Sequence, residues 1–506
     1  MLTRLKVHGF KNLVDVDVRF GPFNCIAGLN GVGKSNLFDA ICFLSSVANG
    51  SLLEAALSVR SDNAKEGDIR SIFHKAGERH VSTMRFEVEM IVPESAVDDL
   101  GQNAIATATH LRYILRVGLR QKGRLGSEDT LEILEESLTH FNQEDSKQNL
   151  FFKHSEKWRK SVVHATRRSA PFISTEPSDN GSNICVHLDK GTGGKIRRFT
   201  NLPRTVLSVG EGSETPTILC ARRELQSWKL LQLEPSALRK PDNFNAPVHI
   251  DVDGAHLPAT LFNLAHHEAT KLNLDRDGIY QNISNRVAEI AKEIRSVWVD
   301  KDEKRQVLSL MAKFADGNNY PARSLSDGTL RFLALAILEL DLDPQAGGVL
   351  CLEEPENGIH PARVQAMIEL LGDIAADVEE PKDETNPLRQ IIINTHSPIV
   401  VAHVRDDSLL YADEGVRIAE LEFPDGISEK RTRGLKFSCM ERTWRSEAQP
   451  PCDSLAKGHI QVYLNPIPAP PERTILISRD MDLKVMERAD YRVIQTNLLD
   501  NPDAST

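Results

Sequence analysis

Cysteine is scarce and scattered in this 506-residue chain. Cys25, Cys42, Cys185, Cys220, Cys351, Cys439 and Cys452 make an odd set of 7 with no Cys-x-x-Cys pair. That spacing suits neither a disulfide framework nor a structural zinc site. Long apolar runs are missing as well; none approaches the ~18 residues that span a bilayer. The opening Met1-Leu2-Thr3-Arg4-Leu5-Lys6 has no signal-peptide apolar segment, so a soluble cytoplasmic protein is expected. Net positive charge is absent too, since 61 Lys and Arg face 72 Asp and Glu for a formal charge of -11. Global basicity is thereby excluded, and any nucleic-acid contact must come from local patches. No internal repeat is visible, and the lack of sustained heptads argues against a long coiled-coil arm. What is present, 40% hydrophobic and 26% charged residues, can build large cores. The length fits roughly two to four domains.

Residues 5 to 30 read as strands, with Leu5 and Val7 and then Val14, Val16 and Val18 alternating, followed by the apolar run Phe23–Ala27. A glycine-rich turn, Gly28–Ser35, opens a helix whose apolar positions are Leu37, Ile41, Leu44 and Val47. Between 50 and 320, strands are expected at Met84–Met90, Leu111–Val117 and Leu131–Leu134, and a polar loop at Ser174–Ser182. One helix is expected to carry Ile279, Ile283, Val287, Ile290, Ile294 and Val297. Beyond 320 come a Ser-x-Gly turn, an apolar helix Leu330–Leu340, the strand Gly348–Leu352, a helix through Val364 and Ile374, and the strand Ile391–Ile393. Strands alternating with helices imply a largely parallel sheet, hence an α/β fold. The last hundred residues read as irregular.

Gly28-Leu29-Asn30-Gly31-Val32-Gly33-Lys34-Ser35 is a complete G-x-x-x-x-G-K-[ST] between an apolar strand and a helix. Glycines let such a loop curl its N–H groups toward phosphates, Lys34 brings a mobile positive charge to the β- and γ-phosphates, and Ser35 offers a hydroxyl to Mg²⁺. The helix that starts there adds its positive end. A dinucleotide site would need differently spaced glycines. Val349-Leu350-Cys351-Leu352-Glu353-Glu354 is an apolar strand ending in two acids, which alone could be a solvated helix entry. Paired with the phosphate loop, Glu353 would hold Mg²⁺ through water and Glu354 would polarise the attacking water. Ser326-Asp327-Gly328 opens an apolar helix, either as a plain N-cap or as an anion site. His396 follows an apolar strand, either as an ordinary surface or core histidine or within reach of a γ-phosphate.

These four elements in this order resemble the ATP-binding-cassette ATPases of the RecF, SMC and OLD group, the branch called AAA-21. Leu5–Leu13 is similar to the family's first strand and its Phe-Lys-Asn turn, which adds Lys11 and Asn12 to the implied nucleotide contacts. Gly28–Ser35 resembles Walker A, with Asn30, Gly31, Gly33 and the following Asn36 as contacts. Ser324–Thr329 looks like the signature, Glu353–Pro361 like Walker B plus D-loop, and His396 like the switch histidine. The resemblance implies an ABC-ATPase head, a P-loop parallel sheet with an N-terminal antiparallel β lobe, carrying a large mixed α/β insertion and a small C-terminal region. Its halves would be residues 1–50 and 321–405, with 51–320 inserted and 406–506 as an extension. It further implies ATP and Mg²⁺ as cofactors, catalysis by Glu354 and His396, and a head-to-tail homodimer in which Ser326 and Gly328 cap the partner's ATP. Glu353 departs from the commoner Asp, and Ser-Asp-Gly from Ser-Gly-Gly. The Q-loop glutamine is not legible; Ile72-Phe73-His74 is the expected lid, without a Gln.

Asp253–Pro258 resembles a stretch frequent in defence-associated members, and stand-alone ATPases such as those of Septu (PtuA) and PARIS type work in bacterial anti-phage systems with a nuclease or toxin. A sensor ATPase controlling such a separately encoded effector is therefore the leading expectation. A RecF-type DNA-repair or chromosome-maintenance clamp and an autonomous OLD-like nuclease are the alternatives. The latter would use Asp480-Met481-Asp482 after Thr474–Ser478, but the upstream Glu-Gly strand of a nuclease domain is missing. Three basic clusters interleaved with aromatics suit DNA: Lys153–Lys160 with Arg167-Arg168, Lys195–Phe199, and Lys430–Arg433 to Trp444-Arg445.

Overall fold

The computed structural model describes residues 1–59, 68–120, 129–165, 168, 170–178, 181–189, 197–199, 202–268, 274–343 and 348–456. Its first strands are β1 (Leu2–Phe10), β2 (Leu13–Arg19) and β3 (Phe23–Ala27), and helix α1 spans Ser35–Val47. An antiparallel series follows: β4 (Thr83–Ile91), β5 (His110–Arg120), β6 (Thr130–His140), β7 (Ile173–Ser178), β8 (Gly181–Val186) and β9 (Arg197–Phe199). Next come β10 (Lys229–Leu231), α2 (Arg276–Ile290), β11 (Ile294–Asp302), β12 (Val307–Phe314) and α3 (Asp327–Leu340). The remaining elements are β13 (Val349–Glu353), α4 (Val364–Ile374), β14 (Gln390–Thr395), β15 (Leu409–Phe423), β16 (Gly426–Met440) and β17 (Asp453–Leu455).

Two large sheets organise the molecule. One has the order β9-β8-β7-β6-β5-β4-β1-β2, and the other β10-β13-β14-β3-β15-β16-β17. In the second, β10, β13, β14, β3 and β15 all run parallel, while β15 and β16 form an antiparallel hairpin. A small antiparallel sheet centred on β11 and β12 lies beyond. Alternation along the parallel strands decides the layering. Ile26, Cys351 and Ile392 join one core with Leu37, Ile41 and Leu44 of α1 and with Leu5, Val7, Val14 and Val16 of the antiparallel sheet. Their neighbours Cys25, Leu350, Leu352, Ile391 and Ile393 join a second core with α2, α3 and α4. Helix α1 is thus held between two sheets, while α3 and α4 cover the opposite face. The fold is α/β, a largely parallel sheet with an antiparallel lobe. Residues on either side of 50 and of 405 share these sheets: β1 pairs with β4, and β3 with β15.

Three local expectations are corrected. Ile294 and Val297 leave the helix, which ends at Ile290, and become inward-facing residues of β11. Their three-residue spacing mimicked a helix, although Val297 and Val299 alternate as a strand requires. Residues 174–182 fall largely on β7 and β8, paired from Ile173 with Val186 to Ser178 with Gly181. Polar side chains on this outer part of the sheet hid the strands. The region after 405 contains the longest strands described, 15 residues each. Phe423-Pro424-Asp425-Gly426 is their two-residue turn, a hairpin signal the irregular reading overlooked. The segments 474–478 and 480–482 lie outside the described residues. Among those described, no helix is long and apolar enough to cross a membrane.

Candidate functional site

The site forms where the parallel strands end at their carboxyl edge, the usual ligand position in such sheets. Strand β3 releases the chain into residues 28–34, which turn into α1. Lys34 occupies the N-cap of α1 and no side chain caps that end, while the N–H groups of Asn36 and Leu37 donate to the carbonyls of Gly33 (3.0 Å) and Lys34 (3.1 Å). Gly33 is required twice over. Its φ is +91°, and a Cβ there would lie 2.1 Å from Asn12 Nδ2. Lys34 is buried and its Nζ donates to the carbonyls of Gly28 (2.7 Å) and Leu29 (2.8 Å). Burial pulls its ammonium below the ordinary lysine value, against the raising influence of Glu354, Glu356 and Glu353.

A cavity of about 570 Å³ opens beside this loop, lined by Asn30, Gly31, Gly33, Lys34 and Ser35 on one side. Leu352, Glu353, Glu354, Pro355, Asn357 and Asn394 line the other, with Gln232 and Arg331 at the rim between. Glu354 has a left-handed φ of 45°, held by its N–H donating to the Asn394 carbonyl (3.0 Å) and side chain (3.2 Å). One carboxylate oxygen accepts from Asn357 Nδ2 at 3.0 Å, and the other lies 2.6 Å from His396 Nδ1. Partial burial opposes ionisation of Glu354, but these hydrogen bonds and the charges of His396 and Lys34 outweigh it, leaving the carboxyl below its ordinary value. A non-glycine residue in strained backbone, tied by side chains of its own loop and of the 394–396 segment, is typical of a working site.

The other expected residues fall in distinct places. His396 does not itself line the cavity and reaches it through Glu354. Asn36 lies behind the loop, its Nδ2 donating to Asn12 Oδ1 (2.8 Å), and Asn12 in turn donates to the Val32 carbonyl (2.9 Å). Lys11, at φ 45°, pairs with Asp39 of α1 at 2.8 Å. Lys11, Asn12 and Asn36 therefore brace the phosphate loop from outside the cavity. Ser326 is the exposed N-cap of α3, accepting from the Thr329 N–H at 3.2 Å. Gly328 is buried, and a Cβ there would sit 2.1 Å from the Gly358 carbonyl, so the backbones at 328 and 358 touch. Neither lines its own chain's cavity.

His74 is not a lid. It is buried, bonded to the Lys11 carbonyl (2.6 Å) and Thr432 Oγ1 (2.8 Å). Gln232, just after β10 and far in sequence from the expected 72–74, lines the cavity together with Lys34 and Glu353. Its only sequence signal is one polar residue after the three-residue strand Lys229–Leu231, too short to read by periodicity. Arg331 and Asn394 were also missed. One member of each of two basic clusters is corrected: Trp158 is fully buried, and Arg445 is buried against Asn24 and the carbonyls of Arg19 and Asp407. Neither can stack on a base. Arg167 and Lys195 lie outside the described residues.

Hard oxygen donors from Ser35 and Glu353 face one cavity, which fits a magnesium ion completed by phosphate and water. Among the described residues no cluster of three or more His, Cys, Asp or Glu forms a self-sufficient metal cage. Residues 227–402 match the family described as "AAA domain, putative AbiEii toxin, Type IV TA system", and residues 4–201 match one described as "AAA domain". Both matches meet at the cavity just described. The two segments that build the cavity are thus each similar to AAA-domain ATPases. The chain is 44% identical over 46 residues to the DNA replication and repair protein RecF of Phocaeicola vulgatus and 48% identical over 46 residues to that of Magnetococcus marinus. Those stretches are 9% of this chain and 12% of each relative, so the chain matches about an eighth of their length. Solved structures similar to it include an SMC head bound to the C-winged helix domain of ScpA, at 13% identity and TM-score 0.43, covering 87% of this chain and 98% of that one. Another is the SMC head domain from Thermotoga maritima, at 10% identity and TM-score 0.34, covering 85% and 98%.

Proposed function

We propose that this chain binds ATP in the cavity between Lys34 and Glu354, hydrolyses it, and closes head to tail with a second copy over two nucleotides. One observation carries the reading: the phosphate-loop residues Lys34 and Ser35 face Glu353 and Glu354 across a single cavity, while Ser326 stands exposed away from it. The loop N–H groups and Lys34 hold the β- and γ-phosphates, exchanging the Gly28 and Leu29 carbonyls for phosphate oxygens. Ser35 and Glu353 hold Mg²⁺, which when bound neutralises charge on the phosphates. Gln232, beside them, contacts the same region. Glu354 orients a water on the γ-phosphorus as the bond to the β,γ-bridging oxygen breaks. His396 holds that carboxylate in place. Ser326 and the turn at Gly328 meet the γ-phosphate of the other copy's nucleotide. ADP lacks that group, so the closed dimer is favoured by ATP.

The payload is read as regulation of a partner nuclease or toxin in a bacterial anti-phage system, supported by Asp253–Pro258 and by the family description that names a toxin. Asp253–Pro258 forms a tight turn, with His256 at φ 69° bonded to Asp242 (3.0 Å), beside the segment that carries Gln232. A second reading, a DNA-repair clamp, is favoured by the 46-residue match to RecF. Sedimentation of the purified chain with ATP tests the switch. The expected result is an ATP-dependent dimer that accumulates in Glu354→Gln and is lost in Ser326→Arg with ATP binding spared. Equal loss of ATP binding in Ser326→Arg overturns the trans arrangement. ATP-dependent binding of gapped DNA by the chain alone favours the repair reading, and an adjacent nuclease or toxin gene the defence reading.

A further inference from the structure

Helix α3 starts at the exposed Ser326 and five residues later presents Arg331 to the cavity. Five residues of helix span about 7.5 Å, and α3 is packed through Leu330, Phe332 and Leu333, all buried. Its first turn is therefore a rigid extension of the core, not a loose loop. The guanidinium of Arg331 donates from Nε to the Leu233 carbonyl at 3.1 Å, next to Gln232, and from one terminal nitrogen to the Asn357 carbonyl at 2.7 Å. Asn357 spends its side-chain amide on Glu354. A continuous chain of hydrogen bonds thus runs from the signature helix through Arg331 and Asn357 to the carboxylate that orients water. The contact of Gly328 with the Gly358 carbonyl runs parallel to it, and Arg239 secures the start of the turn by donating to the Leu325 carbonyl (3.1 Å) and to Asp327.

We infer that Arg331 is a positioning residue that couples the signature turn of a chain to hydrolysis in that chain's own cavity, by holding Asn357 where its amide aims Glu354. The inference rests on the dimeric reading above. Engagement of Ser326 by the other copy's nucleotide moves or stiffens α3, and the fork of Arg331 passes that change to Asn357 and Glu354. Each site then reports its occupancy to the other. A planar guanidinium reaches the two carbonyls from separate nitrogens in fixed directions, whereas the donors of a lysine share one nitrogen.

The test is steady-state ATP hydrolysis against ATP concentration, with separate equilibrium titration of a fluorescent ATP analogue, in Arg331→Ala, Arg331→Lys, Asn357→Ala and the Arg331→Ala/Asn357→Ala double variant. In the wild type the Hill coefficient should approach 2, about the number of sites in the dimer. Arg331→Ala should lower kcat about tenfold and bring the Hill coefficient to about 1, with nucleotide affinity within about threefold. Arg331→Lys restores the charge but should not restore cooperativity. Asn357→Ala, at an exposed position, should reproduce the loss, and the double variant should be no worse than either single one, as members of one chain are not additive. Loss of affinity with kcat unchanged would make Arg331 a phosphate ligand and overturn the proposal. So would wild-type cooperativity in Asn357→Ala, or multiplied losses in the double variant. A wild-type protein that binds no ATP instead overturns the dimeric reading itself. Should Arg331→Ala fail to fold, Arg331→Lys and Asn357→Ala still decide the matter.

Discussion

The two walls of the cavity are built on opposite principles. On the phosphate-loop side the backbone does the binding: glycines, an uncapped helix start and one lysine folded onto its own loop's carbonyls. The facing wall is built from and backed by side chains of three segments, with Glu354, Asn357, Asn394, His396 and Arg331 bonded into one network. A backbone site is stiff and reads any nucleoside triphosphate by its phosphates. A side-chain network can be tuned, since displacing one member changes the others. Affinity should therefore live on the first wall and turnover on the second.

That division breaks most visibly at Glu354. Glu354→Gln should cut kcat by about 10²–10⁴-fold, the worth of a general base, with nucleotide affinity held. Single-turnover kinetics beside equilibrium titration measures both; a lost affinity with normal turnover would merge the two walls. On the opposite side, Lys34→Ala should weaken ATP binding about tenfold to a hundredfold, as losing a charge-assisted hydrogen bond worth about 1.5–3 kcal/mol does. Calorimetric titration checks this. Gly33→Ala should cost about tenfold in affinity, because a side chain in left-handed backbone costs about 1–2 kcal/mol and here also meets Asn12. Retained binding in Gly33→Ala would mean that the loop is more pliable than its geometry says.

The smallest effect concerns pH. Glu354 is held below its ordinary value of 4.5. Its charged form is favoured in the folded protein, so its contribution is present above 4.5 and is lost only as pH falls through the depressed value. Asn357→Ala removes one of the hydrogen bonds responsible. The acid limb of the kcat profile should then move to higher pH, by less than about one unit. An unmoved limb in that variant would show that His396 alone sets the state of Glu354.

Legibility followed the range of the interactions. Leu37, Ile41, Leu44 and Val47 announced α1 because a helix is amphipathic over consecutive residues, and all four are buried. The apolar stretches 349–352 and 391–393 were equally plain, since the middle of a sheet covered on both faces is filled by apolar side chains. Ile294 and Val297 misled because apolar residues three apart fit two periods, and only pairing of β11 with Phe314 and Ala312 of β12 chose between them. Trp158 and Arg445 looked like a nucleic-acid surface because sequence records charge and ring but not burial.

What the chain's letters determined alone is the phosphate loop with its lysine and serine, and the acids that close the strand Val349–Glu353, because each is a contiguous stretch whose chemistry depends on its immediate neighbours. Tertiary structure decided that Gln232 and Arg331 join them, that Lys11, Asn12 and Asn36 stand behind the loop, and that the exposed Ser326 does not line its own cavity. Those outcomes depend on which strands lie side by side and on a hydrogen bond needing partners within about 3 Å, a distance that separation along the chain does not reveal.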